Sequence, residues 1–361
     1  MAIRFNEERW AKVRNDARLW WDGKLKRPLI HMPAGNRDPG RPAPRLKGLG
    51  FSEDVYNLSV SAEDIVDRWD YELSGMEFYG DSFPAVWPNF GPGVIAAFIG
   101  AVAKPAPDTV WFHPRKEMEL AELRMAYDPD NVWFKRVKDI CRVAMERWQG
   151  LVQMSMTDLG GNLDVVSTFR PNEQLLLDLY DHPEEVKRQT WEAHRLWWKC
   201  FDEINAVLKP MNPGYTSWAQ IYSEAPSYML QCDFCYMIGP DMFEEFVKPE
   251  LVASCKRLVN PFYHLDGIGE LPHLDSLLSI KELKGIQWVP GTGRPGITEW
   301  PEVYRKIRNA GKLMQIWGDM KTVDTLVSQI GSAEGMVCFA WGDPVNDSAI
   351  REFLKKYGCD T

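Results

Sequence analysis

The chain has 361 residues, 45% hydrophobic and 26% charged, which is typical of a soluble globular protein with one large domain or two ordinary ones. A formal net charge of −9 argues against a broad nucleic-acid-binding face, and no apolar run reaches the roughly eighteen residues that a membrane-spanning helix needs. The charged N-terminal segment lacks the apolar core of a signal peptide, so we expect a cytoplasmic protein whose seven cysteines are free thiols or metal ligands.

Residues 1–60 predict a helix followed by an irregular extension. Trp10, Val13 and Ala17 fall on one helical face, whereas residues 33–45 are too rich in proline and glycine to be regular. Elsewhere, short apolar runs that suit buried strands alternate with helical patterns. The predicted strands are residues 28–32, 76–80, 151–156, 215–221, 261–265, 285–289, 313–317 and 335–341. The predicted helices include residues 171–208, 239–258 and 299–310.

This alternation, with short links, is typical of parallel strands joined by helices, either in an open doubly wound sheet or in a closed barrel. A nucleotide-binding sheet is disfavoured because neither a G-x-G-x-x-G segment nor a P-loop follows the first strand. We therefore predict an α/β fold, a single (β/α)8 TIM barrel over residues 61–361 with residues 1–60 as an N-terminal helical extension.

Active sites in such barrels gather where strands end and loops begin. Polar residues that follow predicted strands are therefore candidate catalytic groups, and they include Asp81, Asp158 and Glu224. Aromatic and amide side chains at the same positions are candidate substrate contacts. They are Trp218, Tyr222, Gln287, Trp288, Gln315, Trp317 and Trp341. The tryptophans either line a flat aromatic pocket or fill the barrel core, and we favour the pocket because barrel interiors prefer branched aliphatic residues.

The segment "YHLDG" places His264 and Asp266 two residues apart at the end of a predicted strand. Side chains at this spacing point to the same face, and Gly267 lets the chain turn away. The pair suits a metal site, a general base held in one tautomer, or a substrate anchor. A thiolate from Cys338 would complete a set of donors that zinc accepts. The alternative is structural, with Asp266 capping the following turn and His264 satisfied within the core.

Two further motifs are expected to be structural. His273 lies at the predicted start of a helix, where histidine more often packs or caps. Cys232 and Cys235 form a C-x-x-C pair without a second cysteine pair for zinc and without a thioredoxin-like context. We expect both cysteines to be buried, with Asp233 between them pointing the other way, towards the barrel mouth.

Four segments resemble the uroporphyrinogen decarboxylase superfamily, which also contains corrinoid-dependent methyltransferases. They are "NEQLLLDLYDHPEEVKRQ", "IGPDMFEEFVKPEL", "YHLDG" and "GIQWVPGTG", and the resemblance covers roughly residues 60–340. It implies a (β/α)8 barrel and a homodimer. The arginine-rich "MRQAGR" segment of true decarboxylases is replaced by "HMPAGNR", in which Arg37 is the one matching basic residue. Asp81 is the nearest match to the catalytic aspartate of the decarboxylases.

The methyltransferase branch binds zinc through an H-x-C pair and a later cysteine. His264 matches this pattern, Asp266 stands where the first cysteine would be, and Cys338 resembles the second. The resemblance therefore implies a zinc-assisted methyltransferase that moves a methyl group between a small methoxylated or methylamine-like substrate and a corrinoid on a partner protein. One alternative is a decarboxylase that uses Asp81, and another is a small-molecule-binding barrel without chemistry.

Overall fold

The structure is a computed structural model that describes residues 3–35, 37–48, 50, 52–341 and 347–359. It is a mixed α/β fold with a parallel-rich central sheet and many helices. The described strands are β1 (Leu29–Gly35), β2 (Met76–Gly80), β3 (Ala85–Val86), β4 (Val102–Pro105), β5 (Val110–His113), β6 (Gln153–Met154), β7 (Ser227–Leu230), β8 (Asn260–Asp266), β9 (Gly285–Val289), β10 (Leu313–Asp319) and β11 (Met336–Trp341).

The helices include two long ones that pack against each other, α5 and α8. The described helices are α1 (Glu7–Trp21), α2 (Glu53–Tyr56), α3 (Ala62–Ser74), α4 (Ile95–Phe98), α5 (Val132–Trp148), α6 (Asn162–Phe169), α7 (Asn172–Asp181), α8 (Pro183–Leu208), α9 (Pro240–Met242), α10 (Lys248–Arg257), α11 (Leu274–Ser279), α12 (Pro301–Asn309), α13 (Met320–Ile330) and α14 (Asp347–Lys356). None of these helices is both long and apolar enough to cross a membrane.

Seven strands form the central sheet in the order β2-β1-β11-β10-β9-β8-β7. All neighbours in it run parallel except β1 and β2, which are antiparallel. The register pairs His264 with Gln287, and Gln287 with Gln315. Residues paired across parallel strands point to the same face of the sheet, so this register brings three polar side chains of β8, β9 and β10 together.

Strand β1 lies within the predicted N-terminal extension, yet it pairs with both β2 and β11 in the central sheet. The preceding helix α1 begins at Glu7 because the Asn6 side chain accepts a hydrogen bond from the Arg9 backbone N–H. Its buried face includes Trp10 and Trp20, whose indole N–H groups donate to the backbone oxygens of Leu151 and Met336. The N-terminal helix is thus tied to two distant parts of the chain.

The helix predicted over residues 171–208 is two helices, α7 and α8, because Pro183 follows directly after the break. His182, the residue before that proline, has φ −137° and ψ 48°, outside the helical region that a following proline disfavours. A second predicted helix, residues 239–258, contains a π-helical turn over Phe243–Val247. Pro249 lies just beyond that turn and lacks the N–H that regular helical bonding would use.

The strand predicted over residues 215–221 is wrong, because the described structure has no strand there and joins Tyr215 to Ser223 by an isolated bridge. Gln220 adopts a left-handed φ of 55°, and its N–H donates to the Ser217 backbone oxygen. The chain therefore turns where an extended strand was expected. The strand of the central sheet that follows this segment in the chain is β7. The hairpin of β4 and β5 is a second element that was not predicted.

The close contact of β9 with its neighbours makes Gly285 sensitive to substitution. A Cβ atom there would lie 2.1 Å from the Phe262 ring and 2.7 Å from the Leu313 backbone oxygen. We expect Gly285→Ala to lower the free energy of unfolding by about 1–3 kcal/mol in urea denaturation because the packed core must move. Gly296→Ala is the matched control, since nothing lies within 4 Å of its added Cβ. Equal stability of the two variants would contradict the packing shown.

Candidate functional site

A chain of hydrogen bonds orients His264. The Gln315 amide Nε2 donates to the Ala219 backbone oxygen over 2.7 Å, and Gln287 Nε2 donates to Gln315 Oε1 over 2.7 Å. Gln287 Oε1 is therefore left to accept, and it contacts His264 Nδ1. Because a backbone carbonyl can only accept, the whole chain has one direction, and it requires a proton on Nδ1 of His264.

The other ring nitrogen of His264 faces carboxylates. Nε2 lies 3.8 Å from Asp266 Oδ2, and the His264 side chain is 14% exposed. Burial opposes protonation of the ring, but the Asp266 and Asp233 carboxylates outweigh it and raise the pKa of His264. The fixed Nδ1–H leaves Nε2 as the nitrogen that gains or loses a proton, which suits a general acid.

Four further carboxyl groups with raised pKa values interact with this histidine or with one another. Desolvation raises the pKa of both Asp158 and Asp233 to about 6, and the His264 charge acts against the rise in each. Desolvation and the Asp233 charge raise the pKa of Asp164 to about 7. Glu270, which is 1% exposed, has a pKa well above its ordinary value for the same two reasons. A cluster of perturbed acids linked to a histidine is characteristic of functional sites.

Aromatic rings line the same face of the sheet. Trp218 meets His264 edge-on with ring centroids 5.0 Å apart, and Trp218 and Trp317 are 5.9 Å apart. Trp317 is 41% exposed and lies near Phe339, which stacks on His31 at 4.5 Å. Rings beside a histidine and several carboxyl groups form a site that is apolar on one side and acidic on the other.

The structure does not bring all the predicted substrate contacts into this site. Gln287 and Gln315 are 2% and 1% exposed and bond to each other, so they position His264 and present little surface to a ligand. Trp288 pairs with Leu265, which places it on the opposite face of the sheet from His264, and it packs on Trp300.

Three other predicted residues lie elsewhere or at the edge. Tyr222 is buried among aromatic rings, and its hydroxyl donates to the Pro213 backbone oxygen over 2.9 Å. Glu224 lines a cavity with Asn212 and Tyr215 that contains none of the other predicted site residues. Trp341 ends β11 and is 60% exposed.

Cys338 does not lie with His264 and Asp266. It pairs with Ile30 and Ile316, so it points away from the face that carries Trp317 and Phe339. The thiol is fully buried, and burial raises its pKa. Within the described ranges no group of three His, Cys, Asp or Glu side chains is placed to hold a metal ion.

Asp81 is held in a buried network of ion pairs. Its two carboxylate oxygens each accept a 2.8 Å hydrogen bond from Arg27, and Lys12 lies 3.2 Å from one of them. Asp81 Oδ2 also accepts from the Ile30 N–H at the start of the central sheet. The Asp81 carboxylate therefore has a structural role, in which it connects α1, β1 and the end of β2.

Some residues of the site were missed by sequence reasoning. Asp164 and Glu270 were not predicted, although each lies one to three residues after a glycine in the segment that follows a predicted strand, as "GGNLD" and "GIGE". That signal was available, because glycine-rich turns after strands are where site residues often lie. The expectation of burial for Cys232 and Cys235 is confirmed, and His273 is a core residue whose Nε2 lies 2.9 Å from the Cys235 backbone oxygen.

The hydrogen bond between His264 Nδ1 and Gln287 Oε1 predicts which tautomer the neutral imidazole adopts. In Gln287→Leu we expect the protonated fraction of Nδ1 in the neutral ring to fall, because no side chain of the described site then accepts from it. Nitrogen chemical shifts of labelled histidine measure this directly. Gln329→Leu is the control, since that amide donates to Thr298, away from His264. An unchanged tautomer in Gln287→Leu would contradict the proposed direction of the chain.

No protein-family model matches the chain, and no curated protein matches it.

Proposed function

We propose that the chain is a methyltransferase of the uroporphyrinogen decarboxylase superfamily, which moves a methyl group between a small methylated substrate and a corrinoid on a partner protein. The observation that carries the proposal is His264, held with its proton on Nδ1 and its Nε2 beside Asp266. A histidine set in this way can protonate the heteroatom that loses a methyl group.

Backbone hydrogen bonds outside the central sheet support a closed (β/α)8 barrel. The Asp81 N–H donates to Ile30, the Gln153 N–H to Pro84, and the Met156 N–H to Thr216. These bonds connect successive extended segments from β1 through β3 and β6 towards β7. In such a barrel, His264 at the end of β8 lies at the catalytic face.

The residues present do not fit the zinc site that the resemblance implies. Zinc takes four donors in tetrahedral sites, or three with one position open. Cys338 is on the other face of its strand from His264, and Asp266 stands where the family has a thiolate. We therefore propose that the leaving group is activated by proton transfer from His264 without a metal ion.

The proposed step breaks the bond between the methyl carbon and an oxygen or nitrogen of the substrate. The electron pair of that bond stays on the heteroatom, which takes the proton from His264 Nε2. The corrinoid, brought by its own protein as the methyl acceptor, supplies the electron pair for the new bond to carbon. Trp218 packs edge-on against the ring and Trp317 packs on Trp218, and Asp266 keeps the imidazole charged before transfer.

Methylation of free cob(I)alamin tests the proposal without knowledge of the partner. The protein is incubated anaerobically with cob(I)alamin and a panel of methyl ethers and methylamines, and the visible spectrum reports methylation. We expect protein-dependent methylation with at least one substrate class, and its loss in His264→Gln. Absence of methylation across the panel, together with decarboxylation of uroporphyrinogen, would replace this proposal with the decarboxylase. The Asp81 ion pairs give that alternative no support.

A further inference from the structure

A cleft lies between the β4–β5 hairpin, helix α6 and the short helix over Asp233–Met237. It consists of a cavity of about 290 Å³ and an adjoining one of about 110 Å³. The residues that line both cavities are Pro92, Asp164, Thr168 and Asp233. Asp233 also acts electrostatically on His264, so the cleft adjoins the candidate site and shares this residue with it.

One wall of this cleft is apolar and aromatic. Trp111 and Phe112 of β5 line it from one side, and Phe234 and Met237 line it from the other. Trp111 is 62% exposed and Met237 is 41% exposed, although large apolar side chains usually avoid water. Exposed apolar residues grouped around a cavity mark a binding surface.

The floor of the cleft carries oxygen acceptors. Asp164 accepts hydrogen bonds from the backbone N–H groups of Asp233 and Phe234, at 3.1 and 2.8 Å. The Asp233 side chain is exposed and, among the described residues, has no hydrogen bond or ion pair. Gln231 lines the smaller cavity, is 5% exposed, and its Oε1 has no partner in the described structure. A buried acceptor without a donor points to a group that the ligand supplies.

The floor of the cleft is acidic. Neither cavity is lined by a lysine or arginine from the described part of the chain. Desolvation and the neighbouring Asp233 carboxylate raise the pKa of Asp164 to about 7. Two acids that repel each other at the base of an aromatic cleft are stabilised in their charged form by a bound cation.

We infer that this cleft binds a small organic cation of the alkylammonium class. Asp233 and Asp164 supply the opposite charge, and the face of Trp111 supplies a cation–π contact. A bare metal ion fits less well, because the described residues include no group of three His, Cys, Asp or Glu side chains placed to hold one. The inference does not depend on methyl transfer, since it concerns equilibrium binding alone.

Calorimetric titration of the full chain with choline, and with its neutral isostere 3,3-dimethylbutan-1-ol, tests the inference. We expect choline to bind with a dissociation constant of about 1 mM or below, and the neutral alcohol to bind at least about tenfold more weakly. Asp233→Asn should weaken choline binding by about tenfold or more because a charged contact is lost. Trp111→Leu should weaken it by about three- to tenfold, since the cation–π contact is lost while apolar surface remains.

Asp241→Asn is the matched control, because this exposed aspartate removes the same charge and lines neither cavity. It should leave choline binding unchanged. Equal binding of choline and the neutral alcohol would overturn the inference, as would no binding of choline or equal weakening by Asp233→Asn and Asp241→Asn. Because cob(I)alamin methylation is a separate assay, failure of either proposal leaves the other standing.

Discussion

Replacing His264 by glutamine is expected to lower the rate of methyl transfer to cob(I)alamin by about 10²- to 10⁴-fold, the usual contribution of a positioned general acid. Glutamine can still bond to Gln287 but cannot supply a proton from the position of Nε2. The substrate concentration at half-maximal rate should change little, because Trp218 and Trp317 remain. Turnover at the wild-type rate in His264→Gln would show that the proton comes from elsewhere.

Removing the charge of Asp266 is a second test of His264 as the general acid. Burial opposes the charged form of His264, and Asp266 and Asp233 overcome it and raise the pKa. Asp266→Asn removes one of these charges, so the pKa of His264 should fall. The imidazolium is the active acid, so the alkaline limb of the pH–rate profile should move to lower pH. Asp275→Asn, an exposed aspartate paired with Lys306, is the control. A profile that does not move would contradict the role of Asp266.

Removing the Arg27 guanidinium is expected to have the largest effect on stability. Arg27→Met leaves the Asp81 carboxylate, which is 4% exposed, without its two strongest hydrogen bonds. We expect the free energy of unfolding at pH 7 to fall by about 3–5 kcal/mol, as when one partner of a buried ion pair is removed. Urea denaturation measures it. Arg195→Met, which removes an exposed pair with Glu192, should change it by less than about 0.5 kcal/mol.

This destabilisation should depend on pH in a defined direction. Burial opposes ionisation of Asp81, but Arg27 and Lys12 outweigh it and hold its pKa below the ordinary value of 3.8. A carboxyl group with a lowered folded pKa stabilises the protein above its unfolded pKa and loses that contribution as pH falls through the folded pKa. The difference between wild type and Arg27→Met should therefore shrink as the pH is lowered below about 4. The same difference at pH 7 and in acid would contradict the pairing.

Much of the sheet could be predicted because buried parallel strands are short, continuous apolar runs. Strands β2, β8, β9, β10 and β11 lie where the apolar runs placed them. The run at residues 215–221 has the same composition but turns at Gln220, whose left-handed backbone has no signature in a residue of that type. The hairpin of β4 and β5 was missed because prolines and glycines near it are typical of irregular loops.

The site was predictable in position but only partly in its contacts. Alternation along a strand was enough to place His264 and Asp266 on one face. By the same rule Cys338 and Trp341, three residues apart on one strand, point to opposite faces. Both could not face the same site, which argues against a metal site that includes Cys338. The bonds from His264 through Gln287 to Gln315 depend on the register between strands, which is set by distant packing and is not written in any one segment.

The Ala219 carbonyl, which accepts from Gln315, has a consequence for how this protein can vary. Ala219 lies in the turn that contains the left-handed Gln220, and the direction of both amides and the proton on His264 follow from where that oxygen points. The nitrogen of His264 that carries the fixed proton thus depends on the backbone shape of a loop that bears no acid or base at this point. Evolution or design can therefore change the tautomer of His264 through the loop, while every side chain that touches the substrate stays the same.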